Sequence, residues 1–211
     1  QEEIKEYLAN RNRGTYQRDE FDSFLRKRHF SYDVPSIHIA GSNGKGSTAK
    51  YLMEIYKAQG YKVGLYNSPY YQSPCEMISI NGEQISEESF EKYLNRDAKD
   101  FQKFDLSEFE IETYIALNYF KDEKVDISII ECGMGGELDA TNVFIPILSI
   151  ITSISLEHTS FLGRSLSEIA LQKAGIIKDK IPVLIGNNFD EDVLKVLADV
   201  AKENRTKITT V

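Results

Sequence analysis

Pro35-Ser36-Ile37-His38-Ile39-Ala40-Gly41-Ser42-Asn43-Gly44-Lys45-Gly46-Ser47-Thr48 is the stretch whose reading decides the fold. Isoleucine at alternate positions, Ile37 and Ile39, is the pattern of a short buried strand. The chain then breaks into Gly41, Gly44 and Gly46, and an amphipathic helix follows. In that helix Ala49, Leu52, Met53, Ile55 and Tyr56 share a face, and Gly60 is the stop. Strand, glycine loop, lysine, hydroxyl residues and helix make the layout that binds a phosphate chain. Glycines let backbone N–H groups converge on the oxygens, the helix N-terminus adds partial positive charge, and Lys45 adds a full one.

The spacing is a variant of the usual phosphate loop. Ile39 stands where the strict pattern has its first glycine, and Gly46 follows Lys45 where a Ser or Thr normally binds Mg²⁺. Some other residue must then hold the metal. Outward from the loop, the chain has 211 residues, is 41% hydrophobic and carries a net charge of −8. It can bury a proper core, and its acidity argues against nucleic acid, whose binders carry basic stripes. No apolar run reaches transmembrane length and the N-terminus lacks a signal peptide's apolar core, so no membrane is expected. Cys75 and Cys132 lie far apart with no CxxC pattern, which speaks against a disulfide framework or zinc site and fits a reducing cytoplasm. The first residue is Gln1, which suggests a trimmed piece.

Ahead of the loop, Ile4 to Leu8 and Phe21 to Arg28 read as helices around a Gly14-Thr15-Tyr16 turn, with Asp19 as N-cap and the charges on a solvated face. Beyond it, Tyr61 to Tyr66 reads as a strand leading to Ser68-Pro69, and Tyr71 to Ile80 as loop, then extended, closed by an Asn81-Gly82 turn. Helices are expected from Ser86 to about Phe104 and from Ser107 to Phe120, the latter with Phe109, Thr113, Ala116, Leu117 and Phe120 on one buried face. Val125 to Ile130 reads as a strand running into Glu131 and the glycines 133, 135 and 136. Ile147 to Ile154 reads as another, ending near Glu157-His158; Ser165 to Ala174 reads as a helix carrying Lys173. Ile181 to Ile185 and Lys207 to Val211 are later strands around a helix from Asp190 to Glu203. The alternation predicts an α/β fold with a mostly parallel, helix-covered sheet.

Ser68, Glu131 and His158 follow apolar strands, as does Lys45, and in a parallel sheet those ends emerge on one edge. One hydroxyl, one carboxylate and substrate phosphates make a reasonable Mg²⁺ shell. Histidine is a less usual Mg²⁺ ligand, so His158 reads equally as a phosphate-contacting or structural group. His29 and His38 take the structural reading.

Several of these blocks resemble, in order, folylpolyglutamate synthase and dihydrofolate synthase of the Mur ligase superfamily. They are Ile37 to Thr48, Gly60 to Leu65, Ser68-Pro69, Phe109-Glu110, Glu131 to Gly136, Leu138 to Val143, His158 to Gly163 and Lys173 to Lys178. The resemblance implies a P-loop ATPase domain over residues 1–211, incomplete at its end and without the family's C-terminal Rossmann-like domain. It implies a ligase that uses ATP to activate a folate or pteroate carboxylate as an acyl phosphate, which the amine of L-glutamate attacks. Carried over by position, Asn43, Gly44, Lys45, Gly46, Ser47 and Thr48 bind ATP. Ser68 and Glu131 share one Mg²⁺. His158 binds a second, with Lys173 as a carbamate that ligates or supports it. Lys45, His158 and Lys173 are then the catalytic set.

Four positions depart from the family's pattern. Tyr70 replaces a usual His, Met77 and Glu137 replace arginines, and Glu157 replaces an Asp. Loss of two arginines lowers positive charge on the substrate side, which keeps two other readings open: another Mur-type amide ligase, or a nucleotide-binding module without ligase activity.

Overall fold

The computed structural model describes residues 2–11, 18–187 and 189–211. The Gly14-Thr15-Tyr16 turn lies outside them. Helices α1 (Glu2–Ala9) and α2 (Asp19–Lys27) precede β1 (Ser36–Ala40), and α3 (Lys45–Ala58) begins at the phosphate-loop lysine. There follow β2 (Val63–Tyr66), a 3₁₀ turn (Pro74–Met77), β3 (Ile78–Ile80), β4 (Glu83–Gln84), α4 (Glu87–Lys103), α5 (Glu108–Asp122) and β5 (Ile127–Glu131). The chain continues through β6 (Leu148–Ile151), α6 (Thr159–Leu162), α7 (Leu166–Ala174), β7 (Val183–Ile185), α8 (Glu191–Glu203) and β8 (Ile208–Thr210).

The strands form one sheet in the order β4-β3-β2-β5-β1-β6-β7-β8. From β2 across to β8 every pairing is parallel, and the two antiparallel pairings are β2 with β3 and β3 with β4. That hairpin turns on Asn81 (φ 51°) and Gly82 (φ 88°), both left-handed as a two-residue type I′ turn requires. β1 sits at the centre, buried along its whole length, with β5 and β6 as neighbours. Its Ile37 and Ile39 face α3, in a core with Val63, Leu65, Ile129 and Met53. The opposite face carries two clusters. One is aromatic-rich, built by α1, α2, α4 and α5 around Phe24, Phe101 and Tyr114; the other gathers Ala40, Ile151 and Val183 with α7 and α8.

Some expectations need correction. Arg18, not Asp19, precedes the first turn of α2, and it makes no side-chain cap. Its guanidinium instead reaches Asp22 and the carbonyls of Asp139 (2.8 Å) and Asn142 (2.7 Å), which tie the helix start to the loop after β5. Behind their charged face the N-terminal helices contribute Ile4, Leu8, Phe21 and Phe24 to the core. Ile55 is 58% exposed, off the buried face of α3. Helix α5 is buried from Glu110 to Leu117 rather than on one face, because α4 and the N-terminal helices cover the side that a surface helix would leave wet. Strand β6 stops at Ile151, three residues early, because Thr152 and Ser153 turn their hydroxyls to the phosphate loop.

Candidate functional site

The phosphate loop is held from outside itself. Thr152 Oγ1 donates to the Asn43 carbonyl at 2.6 Å, and Ser153 Oγ does so at 3.0 Å. The Asn43 N–H returns to Ser153 Oγ at 2.9 Å, while the Ser42 N–H reaches the Ser153 carbonyl and the Ser155 N–H reaches Ser42 Oγ. Gly41 (φ 148°) must be glycine: a Cβ there would lie 1.9 Å from Thr152 Oγ1. Gly44 (φ 84°) precedes α3, and Lys45 Nζ donates to the Gly41 carbonyl at 2.8 Å.

Two groups of side chains flank Lys45. On one side Glu131, 4% exposed at the end of β5, accepts from the Ser68 N–H at 3.3 Å. Burial pushes its carboxyl up to about 7, against the pull of the Lys45 charge. Gly46 leaves Glu131 open to the loop, since a Cβ there would sit 3.5 Å from Glu131 Oε2. On the other side Lys173, 1% exposed, pairs with Glu157 Oε1 at 2.6 Å. Burial holds the Lys173 amine below its usual range, opposed by the Glu157 carboxylate and assisted by repulsion from Lys45. Burial also acts on Glu157, yet the Lys173 hydrogen bond and charge keep its carboxyl below the ordinary carboxylate range.

A hydrogen bond thus joins Ser68 to Glu131, and Lys45 reaches Glu131, Glu157 and Lys173 through its charge, with Lys173 and Glu157 themselves ion-paired. His158 is the exposed residue just before α6, seven residues beyond the end of β6 rather than at it, and left-handed (φ 43°). Among the described residues no three His, Cys, Asp or Glu side chains converge as a metal cage. The donors present, a buried carboxylate and a serine hydroxyl beside a phosphate loop, are hard oxygens that fit Mg²⁺ sharing its shell with phosphates and water. His38 is structural: fully buried, it meets Thr141 Oγ1 at 2.8 Å and Cys132 Sγ at 3.2 Å, and burial lowers its pKa to about 3. Both cysteines are free and buried.

Next to this centre lies a cavity of about 620 Å³. Its walls are largely apolar, with Tyr70, Met77, Phe109, Met134 and Leu162, and Ser68 belongs to the cavity and to the Glu131 contact at once. Tyr70, one of the departures, donates to Glu108 Oε1 at 2.7 Å on the cavity wall, and Met77 is a second wall residue. Sequence reasoning missed three things here: the Glu157–Lys173 pair, the bracing hydroxyls, and the carboxyl group of Glu112 in the cavity wall. The first two had a signal, hydroxyl and acidic residues just past a strand end. Glu112 stood out only as an acid inside the buried run from Ile111 to Leu117.

Comparison with known proteins bears on the family and the fold. Residues 39–211 match the model of the Mur ligase middle domain. A dihydrofolate synthase/folylpolyglutamate synthase of Bacillus subtilis is 41% identical over 166 residues, which are 75% of this chain and 39% of that protein. The folylpolyglutamate synthase of Mycobacterium tuberculosis complexed with ADP superposes with a TM-score of 0.90 at 30% identity, over 99% of this chain and 49% of that one. An FPGS–AMPPCP–folate complex gives 0.89 at 31% identity, over 98% of this chain and 53% of that one. The chain spans less than half the length of the curated relatives it matches. It belongs to the Mur ligase family, in the middle domain, and within that family it stands with the folylpolyglutamate and dihydrofolate synthases.

Proposed function

We propose that this chain is the ATPase domain of a ligase that joins L-glutamate to a folate or pteroate carboxylate, working with a C-terminal domain like that of its longer relatives. The observation that carries the reading is the double role of Ser68, which lines an apolar cavity sized for a flat acceptor and touches the carboxylate beside the phosphate loop. An acceptor seated there presents its carboxylate to the γ-phosphate of ATP. The phosphoryl group moves to that carboxylate and ADP leaves; the glutamate amine then attacks the acyl carbon, displaces phosphate and forms the amide.

In this reading the loop amides from Asn43 to Thr48 and the Lys45 ammonium hold the triphosphate and neutralise charge as it shifts. Ser68 and Glu131 would hold Mg²⁺, which would supply neutralisation of phosphate charge. The depressed amine of Lys173 suits carbamylation, since a neutral amine is what attacks CO₂. A carbamate there would lie beside the Glu157 carboxylate, and with His158 it would hold a second Mg²⁺, which would neutralise that negative charge. A cytoplasmic setting fits the free cysteines. The test is ADP release by the protein that carries this chain, with ATP and Mg²⁺, with and without folate or dihydropteroate and L-glutamate. Release that needs both acceptor and glutamate supports the reading; release indifferent to either sinks it.

A further inference from the structure

A second cavity, of about 450 Å³, is walled by the end of α2, by α4 and by α5, and shares no residue with the phosphate loop or the cavity beside it. Five of its wall residues, Lys27, Arg28, His29, Arg96 and Lys121, are basic, and among the described residues that line it none is acidic. In a chain with a net charge of −8 such a wall is a local reversal of sign. Ser31, Tyr114 and Asn118 add hydroxyl and amide groups to it.

The cations are held from outside the cavity. Asp97, 2% exposed, takes the guanidinium groups of both Arg28 and Arg96, and Asp100 takes Arg28 and Lys27. Asp122, which acts on Arg96 through its charge, accepts from the Tyr93 hydroxyl at 2.7 Å. The Lys121 ammonium donates to the Ser31 carbonyl at 2.6 Å and lies 5.7 Å from the centre of the Phe30 ring. Arg96 lies over the Tyr93 ring at 5.0 Å. These contacts use part of each donor set and leave further N–H groups for a ligand. Because the side chains are already fixed, a ligand need not order them.

We infer that this cavity is a binding site for a small molecule carrying a phosphoryl group, separate from the nucleotide site and independent of the ligase reading. Guanidinium, ammonium and imidazole donors supplied by several elements suit the oxygens of a tetrahedral phosphoryl group, whereas a planar carboxylate is met by a single guanidinium fork. The cavity is roomier than a bare phosphate ion requires, so the group is carried on a larger body.

Pyrophosphate is the probe, titrated calorimetrically into the protein that carries this chain, without Mg²⁺ and at an ionic strength of about 0.15 M, where loose attraction between exposed charges is screened. Lys45→Ala silences the phosphate loop; His29→Gly and Lys121→Gln are then added to weaken the cavity. His29 is left-handed (φ 49°) in the turn that closes α2, where glycine is the favoured residue, so His29→Gly is expected to melt no lower than its parent. The Lys45→Ala protein should still bind pyrophosphate, and the two added substitutions should weaken it by about tenfold or more. His29→Gly alone should take part of that loss, a readout that stands even if Lys121→Gln lowers stability. Binding that vanishes with Lys45→Ala puts the anion in the phosphate loop and overturns the proposal, as does binding that ignores the added substitutions. Citrate, similar in charge but without a phosphoryl group, should bind at least about tenfold more weakly; equal affinity overturns the class of ligand assigned.

Discussion

Lys45 is the one full positive charge inside the phosphate loop, and its hydrogen bond to Gly41 shows the side chain folded over the loop. Lys45→Ala should weaken ATP–Mg²⁺ binding by about 1.5–3 kcal/mol, one charge-assisted contact; an unchanged dissociation constant by titration would remove the loop from the site. Lys173→Ala should abolish ligase turnover, with partial recovery when a short carboxylic acid is added to occupy the space of the lost anion. Turnover that survives without additive would leave Lys173 only its ion pair with Glu157. His38 makes a prediction in pH. Its folded pKa, about 3, lies below the ordinary value of 6.5, so between them the unfolded chain binds the extra proton. The neutral ring's contribution to stability is complete above 6.5 and is lost as pH falls towards 3, at up to about 1.4 kcal/mol per pH unit. The raised carboxyl groups of Glu112, Glu131 and Asp139 act in the opposite sense. The readout is therefore the difference in slope between wild type and His38→Gln in urea denaturation from pH 6.5 to 4.5, and parallel curves would refute it.

At the scale of elements, the loop after β5 and the last turn of α7 are fitted backbone to backbone. The Glu137 N–H bonds the Gln172 carbonyl at 2.7 Å, and a Cβ on Gly136 would lie 2.8 Å from the carbonyl oxygens of both Gln172 and Lys173. Gly136→Ala must push that turn away and with it Lys173; a loss of about 1–3 kcal/mol is expected in chemical denaturation, and an unaltered midpoint would contradict the fit. What was legible in the sequence follows the same division between local and distant causes. The phosphate loop, the Asn81-Gly82 hairpin and the caps at Ser86, Ser107 and Ser165 were readable because neighbours in the chain create them. The length of β6 was not, because its end is set by the loop that Thr152 and Ser153 grip. Nor was the all-round burial of α5, which depends on helices folded over it. Glu157 was legible as an acid just past a strand end, but its partner was not, because the chain must turn through α6 before α7 brings Lys173 to it.

Over the whole molecule, a chain with a net charge of −8 places Lys45 and Lys173 together with the carboxyl groups of Glu131 and Glu157 at one rim of its sheet. A nucleotide bound there joins β1, β2 and β5, the centre of the sheet, so its binding energy should appear as global stability. At a hundredfold excess over its dissociation constant, ATP–Mg²⁺ should add about 2.7 kcal/mol and raise the melting temperature by roughly 5–10 °C. A melting curve indifferent to nucleotide would mean that the rim does not hold it.

The grip of Thr152, Ser153 and Ser155 on Ser42 and Asn43 has a consequence for synthesis. The nucleotide cradle is encoded near residue 44 but cannot take shape until the ribosome has released more than a hundred further residues. Nascent chains arrested before Ile151 leaves the exit tunnel should ignore ATP, and those arrested well beyond Ser155 should begin to respond to it.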